Sequence, residues 1–135
     1  MTAAFLIGAI VFGLVILYLV SRFGRGLVQP MNRRYYDKRW SEILGRVKTQ
    51  EGMTLAVIDA DKLLDEALKR RGYKGKTMGE RLVAAQRSLS NNDSVWFAHK
   101  LRNRLVHEPN VRLRKNDAKN ALAGIKQALK DLGAL

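Results

Sequence analysis

The chain has 135 residues and a formal net charge of +13 at pH 7, from 25 Lys and Arg against 12 Asp and Glu. This length allows one small folded domain. The basic balance fits anionic lipid or nucleic acid as a partner, or charge spread over the surface for solubility. The absence of cysteine excludes a disulfide scaffold and fits a reducing compartment.

The first predicted element is a membrane anchor within residues 1–22. Residues 3–20 carry no charge and are almost entirely apolar. About 20 such residues cross a bilayer as a helix. A cleaved signal peptide is the alternative, and it requires a basic start and a small-residue cleavage site. Neither feature is present, so an uncleaved single-pass anchor is favoured.

The orientation of this anchor follows from the charges after it. Residues 22–50 contain eight basic residues and two acidic ones, a net charge of +6. Positively charged flanks stay on the cytoplasmic side of a membrane. The sequence therefore predicts a single-pass membrane protein whose C-terminal domain lies in the cytoplasm.

Residues 23–50 form a basic neck. Gly24, Gly26 and Pro30 predict a hinge directly after the anchor. An amphipathic helix is then predicted, because apolar residues recur at helical spacing at Tyr36, Trp40, Ile43, Leu44 and Val47. This helix either lies on the membrane surface or packs on the domain as its first helix.

Residues 51–135 are predicted to form the folded domain, whose net charge is +13 minus +6, or +7. Each helix carries an apolar stripe, and Thr77 and Glu80 form a capping box at the start of the second one. No alternating β pattern occurs, so an all-α bundle of four to five helices is expected. The basic loop 72–76 is interpreted as a turn, with a contact to RNA or lipid as the alternative. The predicted helices cover residues 54–71, 77–89, 93–107 and 116–132.

The third of these helices carries the only residues that suggest chemistry. His99, Asn103 and His107 recur every fourth residue and form one polar ridge, with Arg102 beside it. Histidine can move a proton near neutral pH, and arginine can stabilise charge on a phosphate in a transition state. RNA supplies its own nucleophile, the 2′-hydroxyl, so no metal is needed. The predicted catalytic residues are Arg102, Asn103 and His107, and the predicted RNA-binding residues are His99, Lys100 and Arg104.

The segment Arg-Asn-Arg-Leu-Val-His at 102–107 resembles the R-x4-6-H motif of HEPN domains. Extended to Glu108, it is similar to the HEPN toxins of bacterial toxin–antitoxin systems that pair with a nucleotidyltransferase. The resemblance implies a HEPN-like helical bundle, metal-independent endoribonuclease activity, and a homodimer that pairs two copies of the motif. Pro109 stands where those toxins usually carry a tyrosine.

A second hypothesis needs no catalysis. An arginine and a histidine at this spacing occur by chance in many basic helices, and HEPN-like domains without activity also exist. The chain would then be a noncatalytic helical module that recruits a cytoplasmic protein partner to the membrane. Neither hypothesis requires a cofactor, and no set of His, Cys, Asp and Glu has the spacing of a metal site.

Overall fold

The computed structural model describes the backbone of residues 2–23 and 28–135, and the side chains of residues 2–21 and 28–135. These residues form six helices and no strand, which confirms the all-α prediction. Gly24 and Gly26 of the predicted hinge lie outside the described residues, and Pro30 lies in a non-helical segment before the second helix. The helices are α1 Thr2–Phe23, α2 Arg33–Gly45, α3 Gln50–Arg70, α4 Met78–Ala85, α5 Asn92–His107 and α6 Lys115–Asp131.

The first helix, α1, is apolar on all sides. Its side chains from residue 2 to residue 21 are all exposed. The segment Thr2–Ser21 is long and apolar enough to cross a membrane. Near its end, the hydroxyl of Ser21 donates to the carbonyl of Tyr18, one turn earlier in the helix.

The neck helix, α2, packs on the domain. The side-chain oxygen of Asn32 accepts from the backbone N–H of Tyr35 and caps its start. Tyr36, Trp40 and Ile43 are buried in the same core as the residues of α3. Of the two placements that the sequence allows, the structure therefore has the packed one, and the hydrophobic core of the domain begins at Tyr36.

Helices α3, α5 and α6 form the centre of the bundle. Helix α3 begins one turn before the predicted residue, because the Thr49 hydroxyl accepts from the backbone N–H of Gly52 and caps it. Helix α5 ends at His107, as predicted from Pro109, because Glu108 has an extended backbone. All the predicted stripe residues of α6 are buried: Ala118, Ala121, Leu122, Ile125, Leu129 and Leu132.

The bundle has two ends that differ in their relation to α1. At the proximal end, which comprises the start of α2 and the ends of α3 and α6, the backbone N–H of Gln29 donates to the carbonyl of Arg70 at 2.9 Å. The Nε of Arg71 donates to the carbonyl of Leu132 there. At the distal end, which comprises the start of α3, the end of α5 and the start of α6, the amide of Gln50 donates to the carbonyl of Leu113. Helix α5 thus runs antiparallel to α3, and α6 runs parallel to it.

Helix α4 is shorter than predicted. The Thr77 hydroxyl caps it as expected, while the Glu80 carboxylate accepts from the backbone N–H of Lys76. It ends at Ala85, because the side-chain amide of Asn92 donates to carbonyls in the turn that follows. Val83, predicted to face inward, is 54% exposed. The prediction treated residues 77–89 as one continuous helix, whereas α4 has only eight residues.

Candidate active site

A groove of about 660 Å³ lies between α3, the start of α4 and α5. It opens on the side of the bundle, between the proximal and distal ends. Several polar and charged side chains from different helices meet in it. The polar and charged residues that line it are Asp59, Asp61, Lys62, Asp65, Lys76, Thr77, Arg81, His99, Arg102 and Asn103.

A buried carboxylate and a histidine form the centre of the groove. The side chain of Asp61 is only 3% exposed, and that of His99 is 12% exposed. Nδ1 of His99 lies 3.0 Å from Oδ1 and 3.3 Å from Oδ2 of Asp61. A carboxylate only accepts hydrogen bonds when it is ionised, so in that state Nδ1 is the donor. The other ring nitrogen, Nε2, is then available to take a proton.

The pKa of Asp61 is raised above its usual value. The main cause is burial, which disfavours the charged form. The hydrogen bond from His99 and the nearby charge of Arg102 oppose this effect. Because an unpaired buried carboxylate is costly, the histidine and the arginine are what make an ionised Asp61 tolerable inside the bundle.

The orientation of the His99 ring is fixed by two further side chains. The amide nitrogen of Asn103 lies 3.5 Å from Nε2 of His99, one turn along α5. The rings of Trp96 and His99 meet edge to face, with centroids 6.0 Å apart. Trp96 in turn packs against the hydrophobic core. The imidazole is therefore held on three sides, by Asp61, Asn103 and Trp96.

Arg102 brings a cation to the same place. Its Nε lies 3.6 Å from Oδ2 of Asp61, and one terminal nitrogen donates to the amide oxygen of Asn103 at 2.9 Å. The Nε is buried and has no hydrogen-bond partner within the described residues. About a third of the side chain, 32%, is exposed to the groove and solvent. The guanidinium thus keeps donor capacity for an anion.

A second ion pair builds the wall of the groove. Arg81 donates to both carboxylate oxygens of Asp65, at 2.7 and 3.0 Å, and to the carbonyl of Gly75 at 2.5 Å. Burial alone would raise the pKa of Asp65, but its hydrogen bonds from Arg81 and Lys69 hold that pKa below the usual range. Arg81 therefore fixes the loop before α4, and with it Lys76, against the groove.

The rim of the groove is positively charged. Lys62 on α3 and Lys76 before α4 are exposed, and neither has an ion pair within the part of the chain that the structure describes. The acids of the groove are all engaged: Asp65 by Arg81, Asp61 by His99, and Asp59 by Arg46. The unpaired charge that a ligand meets is therefore cationic, which suits a phosphate group.

The groove brings together three of the six predicted site residues. His99, Arg102 and Asn103 line it. The other three, Lys100, Arg104 and His107, are exposed and do not line it. Arg104 pairs with Glu108 at 3.5 Å.

The position of His107 separates it from the groove. It is the last residue of α5 and lies at the distal end of the bundle. It follows Arg102 by five residues, which corresponds to about 7.5 Å along the helix axis. Within one chain, His107 thus lies outside the groove that Arg102 lines, although the sequence motif contains both.

Sequence reasoning missed Asp61 and Lys62 as site residues, whereas Lys76 belongs to the loop 72–76, for which contact with RNA or lipid is the alternative interpretation. Asp61 carries a signal that could have identified it, because it falls on the buried stripe of α3 that also contains Val57 and Leu64. An acid at such a position must find a partner inside the fold. Lys62 shows no comparable signal, since exposed lysines are common throughout this chain.

Comparison with protein-family models, curated proteins and solved structures gives no significant match to this chain. Among the described residues, no three or more His, Cys, Asp and Glu side chains form a group that could hold a metal ion.

Proposed function

We propose that this protein is a membrane-anchored, metal-independent endoribonuclease of the HEPN type, with its helical domain in the cytoplasm. The observation that carries the proposal is the buried Asp61–His99 pair directly beside Arg102. Phosphodiester cleavage in RNA requires a group that transfers a proton and a cation that stabilises charge on the phosphate. His99, held by Asp61, is suited to the first role and Arg102 to the second, and the exposed lysines at the rim would attract the phosphate.

The proposed reaction begins at the ribose. Nε2 of His99 takes the proton of the 2′-hydroxyl, and the 2′-oxygen forms a bond to phosphorus while the bond from phosphorus to the 5′-oxygen breaks. Arg102 stabilises the negative charge that builds up on the phosphate oxygens. The 5′-oxygen leaves with a proton from a general acid. The products are a 2′,3′-cyclic phosphate and a 5′-hydroxyl.

His107 is the proposed general acid, as the HEPN motif implies. Because His107 does not line the groove of its own chain, it can serve only if a second copy brings it there. This is consistent with the homodimer that the resemblance implies. Helix α5 also exposes Phe97, by 40%, and an exposed apolar side chain on this helix is suited to an interface between copies.

The anchor and the orientation are part of the proposal. Helix α1 has the length and composition of a membrane span, and the basic residues after it favour the cytoplasmic side for the domain. RNA in the cytoplasm would then reach a groove held close to the membrane surface.

The noncatalytic interaction module remains the second candidate. One observation favours it: the Asp61–His99–Arg102 network is largely buried and joins α3 to α5. Such a network can serve the fold alone, by satisfying a buried carboxylate.

The experiment that separates the two is RNA cleavage by the full chain in lipid nanodiscs, with a chelator present. The wild type should cleave and leave a 2′,3′-cyclic phosphate end. Arg102→Ala should lower the rate by about 10²-fold or more. Arg112→Ala is the matched control, since Arg112 is an exposed arginine outside the groove, and it should retain the wild-type rate. An inactive wild type whose Arg102→Ala variant is also less stable would leave only the interaction module.

A further inference from the structure

Two arginines begin α2, and neither meets an acidic partner in the part of the chain that the structure describes. Arg33 and Arg34 are exposed, and neither has an ion pair within the described residues. The first turn of α2 contains no acid. Cations at the N-terminus of a helix are opposed by the helix dipole. Folding alone therefore does not account for these charges, and a nearby anionic surface would offset both.

Two more cations at the proximal end share this property. Lys38 lies one turn after Arg34 on α2, and Lys74 lies in the loop after α3. Both are exposed, and neither forms an ion pair within the described part of the chain. Asp37 is the acid among them. We call Arg33, Arg34, Lys38 and Lys74 the basic end.

The chain connects this end to α1 over a short distance. Four residues, 24–27, separate the end of α1 at Phe23 from Val28. However they run, they can span no more than about 18 Å. The next residue, Gln29, is hydrogen-bonded to the carbonyl of Arg70 at the proximal end. The proximal end of the bundle must therefore stay close to the end of α1, while the distal end is turned away from this connection.

From these observations we infer that the basic end docks on the anionic headgroups of the bilayer that α1 enters. The inference rests on α1 being a membrane anchor, and it does not depend on nuclease activity. Docking would give the domain one orientation. The groove would then lie at the side of the bundle, with Asp61 nine residues, or about 14 Å along α3, from Arg70 at the docked end. The distal end, with His107, would face away from the membrane.

The absence of cysteine allows a direct test with single labels. Lys130 and Lys115 lie on the same helix, α6, at the proximal and distal ends, and both are exposed. Fifteen residues separate them, about 22 Å along the axis. Lys130→Cys and Lys115→Cys in the full chain carry a fluorophore, and nanodiscs contain a headgroup-linked quencher. The discs are made of phosphatidylcholine, with or without about 30% phosphatidylglycerol.

The expected result is quenching at position 130 that exceeds quenching at position 115 several-fold in the anionic discs. The difference should shrink in neutral discs and at high salt, because both weaken the attraction between lysine or arginine and the lipid. Changing all four residues of the basic end to glutamine should remove the difference in quenching between positions 130 and 115. The matched control changes four exposed distal cations to glutamine and should keep the difference: Lys48, Arg112, Arg114 and Lys119.

Equal quenching at the two positions, or quenching that ignores lipid charge, would overturn the inference. If the basic-end variant loses RNA binding while its quenching is unchanged, the surface serves RNA and the lipid assignment is wrong. A chain that fails to enter nanodiscs at all would instead contradict the membrane anchor of the proposed function. Because the assay measures quenching and not cleavage, its result is independent of nuclease activity.

Discussion

The carboxylate of Asp61 lies 3.0 Å from Nδ1 of His99, although thirty-eight residues separate the two in the chain. The pair joins the middle of α3 to the middle of α5, and Arg102 lies beside it. Because Asp61 is buried away from water, its carboxylate needs a hydrogen-bond donor within the protein, and the His99 imidazole that supplies it is held in one orientation. The candidate active site therefore depends on a contact between helices that were predicted separately.

Two histidines of α5 should respond differently to alanine. His99→Ala should abolish cleavage and also lower the melting temperature, since it leaves the Asp61 carboxylate buried without its main hydrogen bond. His107→Ala should abolish cleavage and leave the melting temperature unchanged, because His107 is exposed at the end of α5. Cleavage assays and thermal unfolding on the same samples measure both. A fully active His107→Ala variant would show that His107 is not the general acid.

The homodimer predicts complementation between these variants. If each site takes His99 from one copy and His107 from the other, a mixed dimer of the two variants contains one intact site. Equal mixing with free exchange should then restore about one quarter of the wild-type rate, following the pairing statistics of a two-fold dimer. No recovery, in a sample that sedimentation shows to contain mixed dimers, would contradict a shared site. A monomer at all concentrations would favour the interaction module.

Asp61→Asn should change how stability depends on pH. The folded-state pKa of Asp61 is raised above its unfolded value, so the folded protein holds this proton longer than the unfolded chain does. The stability linked to this group is therefore fully present below the unfolded pKa, near 4, and is lost as the pH rises through the folded pKa. The free energy of unfolding of Asp61→Asn, relative to the wild type, should thus increase as the pH rises above the unfolded pKa, near 4. Urea unfolding followed by tryptophan fluorescence measures it. A difference that stays constant or falls would show that the pKa is not raised.

Arg81 should matter for stability more than any surface arginine. Arg81→Met removes the two hydrogen bonds to Asp65 and the one that fixes the loop at Gly75. We expect a loss of about 2–3 kcal/mol, below the value for a fully isolated buried charge, because Lys69 still pairs with Asp65. Arg39→Met is the control, since its pair with Glu42 is exposed and should contribute about 0.5 kcal/mol or less. Denaturant unfolding of both variants measures these losses of unfolding free energy. Equal losses would contradict the role assigned to Arg81.

Truncation should show where the domain begins. A chain that starts at Val28 should fold without detergent, because all the core residues follow it. A chain that starts at Arg46 should be unfolded or strongly destabilised, since it lacks Tyr36, Trp40 and Ile43. Trp40→Ala in the longer fragment should cost about 3–5 kcal/mol, as expected for a large buried side chain. Circular dichroism and thermal unfolding measure these differences. Equal stability of the two fragments would show that α2 is not part of the core.

Much of the fold follows from the sequence alone, because its signals are local. The uncharged run predicted α1, the apolar periodicity predicted the buried stripes of α3 and α6, and Pro109 predicted the end of α5. Each of these depends on neighbours within a turn or two. The two wrong helix boundaries also have local causes. The Thr49 cap starts α3 earlier than predicted, and the hydrogen bond from Asn92 to a carbonyl after Ala85 accompanies the earlier end of α4.

The site itself was decided by tertiary packing. Periodicity identified both apolar stripes of α2 and α3, but only the fold shows that they cover each other. The ridge of α5 contained His99, Asn103 and His107, yet the groove includes the first two and leaves the third at the distal end. Whether two polar residues meet depends on the register and crossing of helices far apart in sequence, and no local pattern encodes that. Asp61 on α3 connects this packing to the candidate site, because it contacts both His99 and Arg102 on α5.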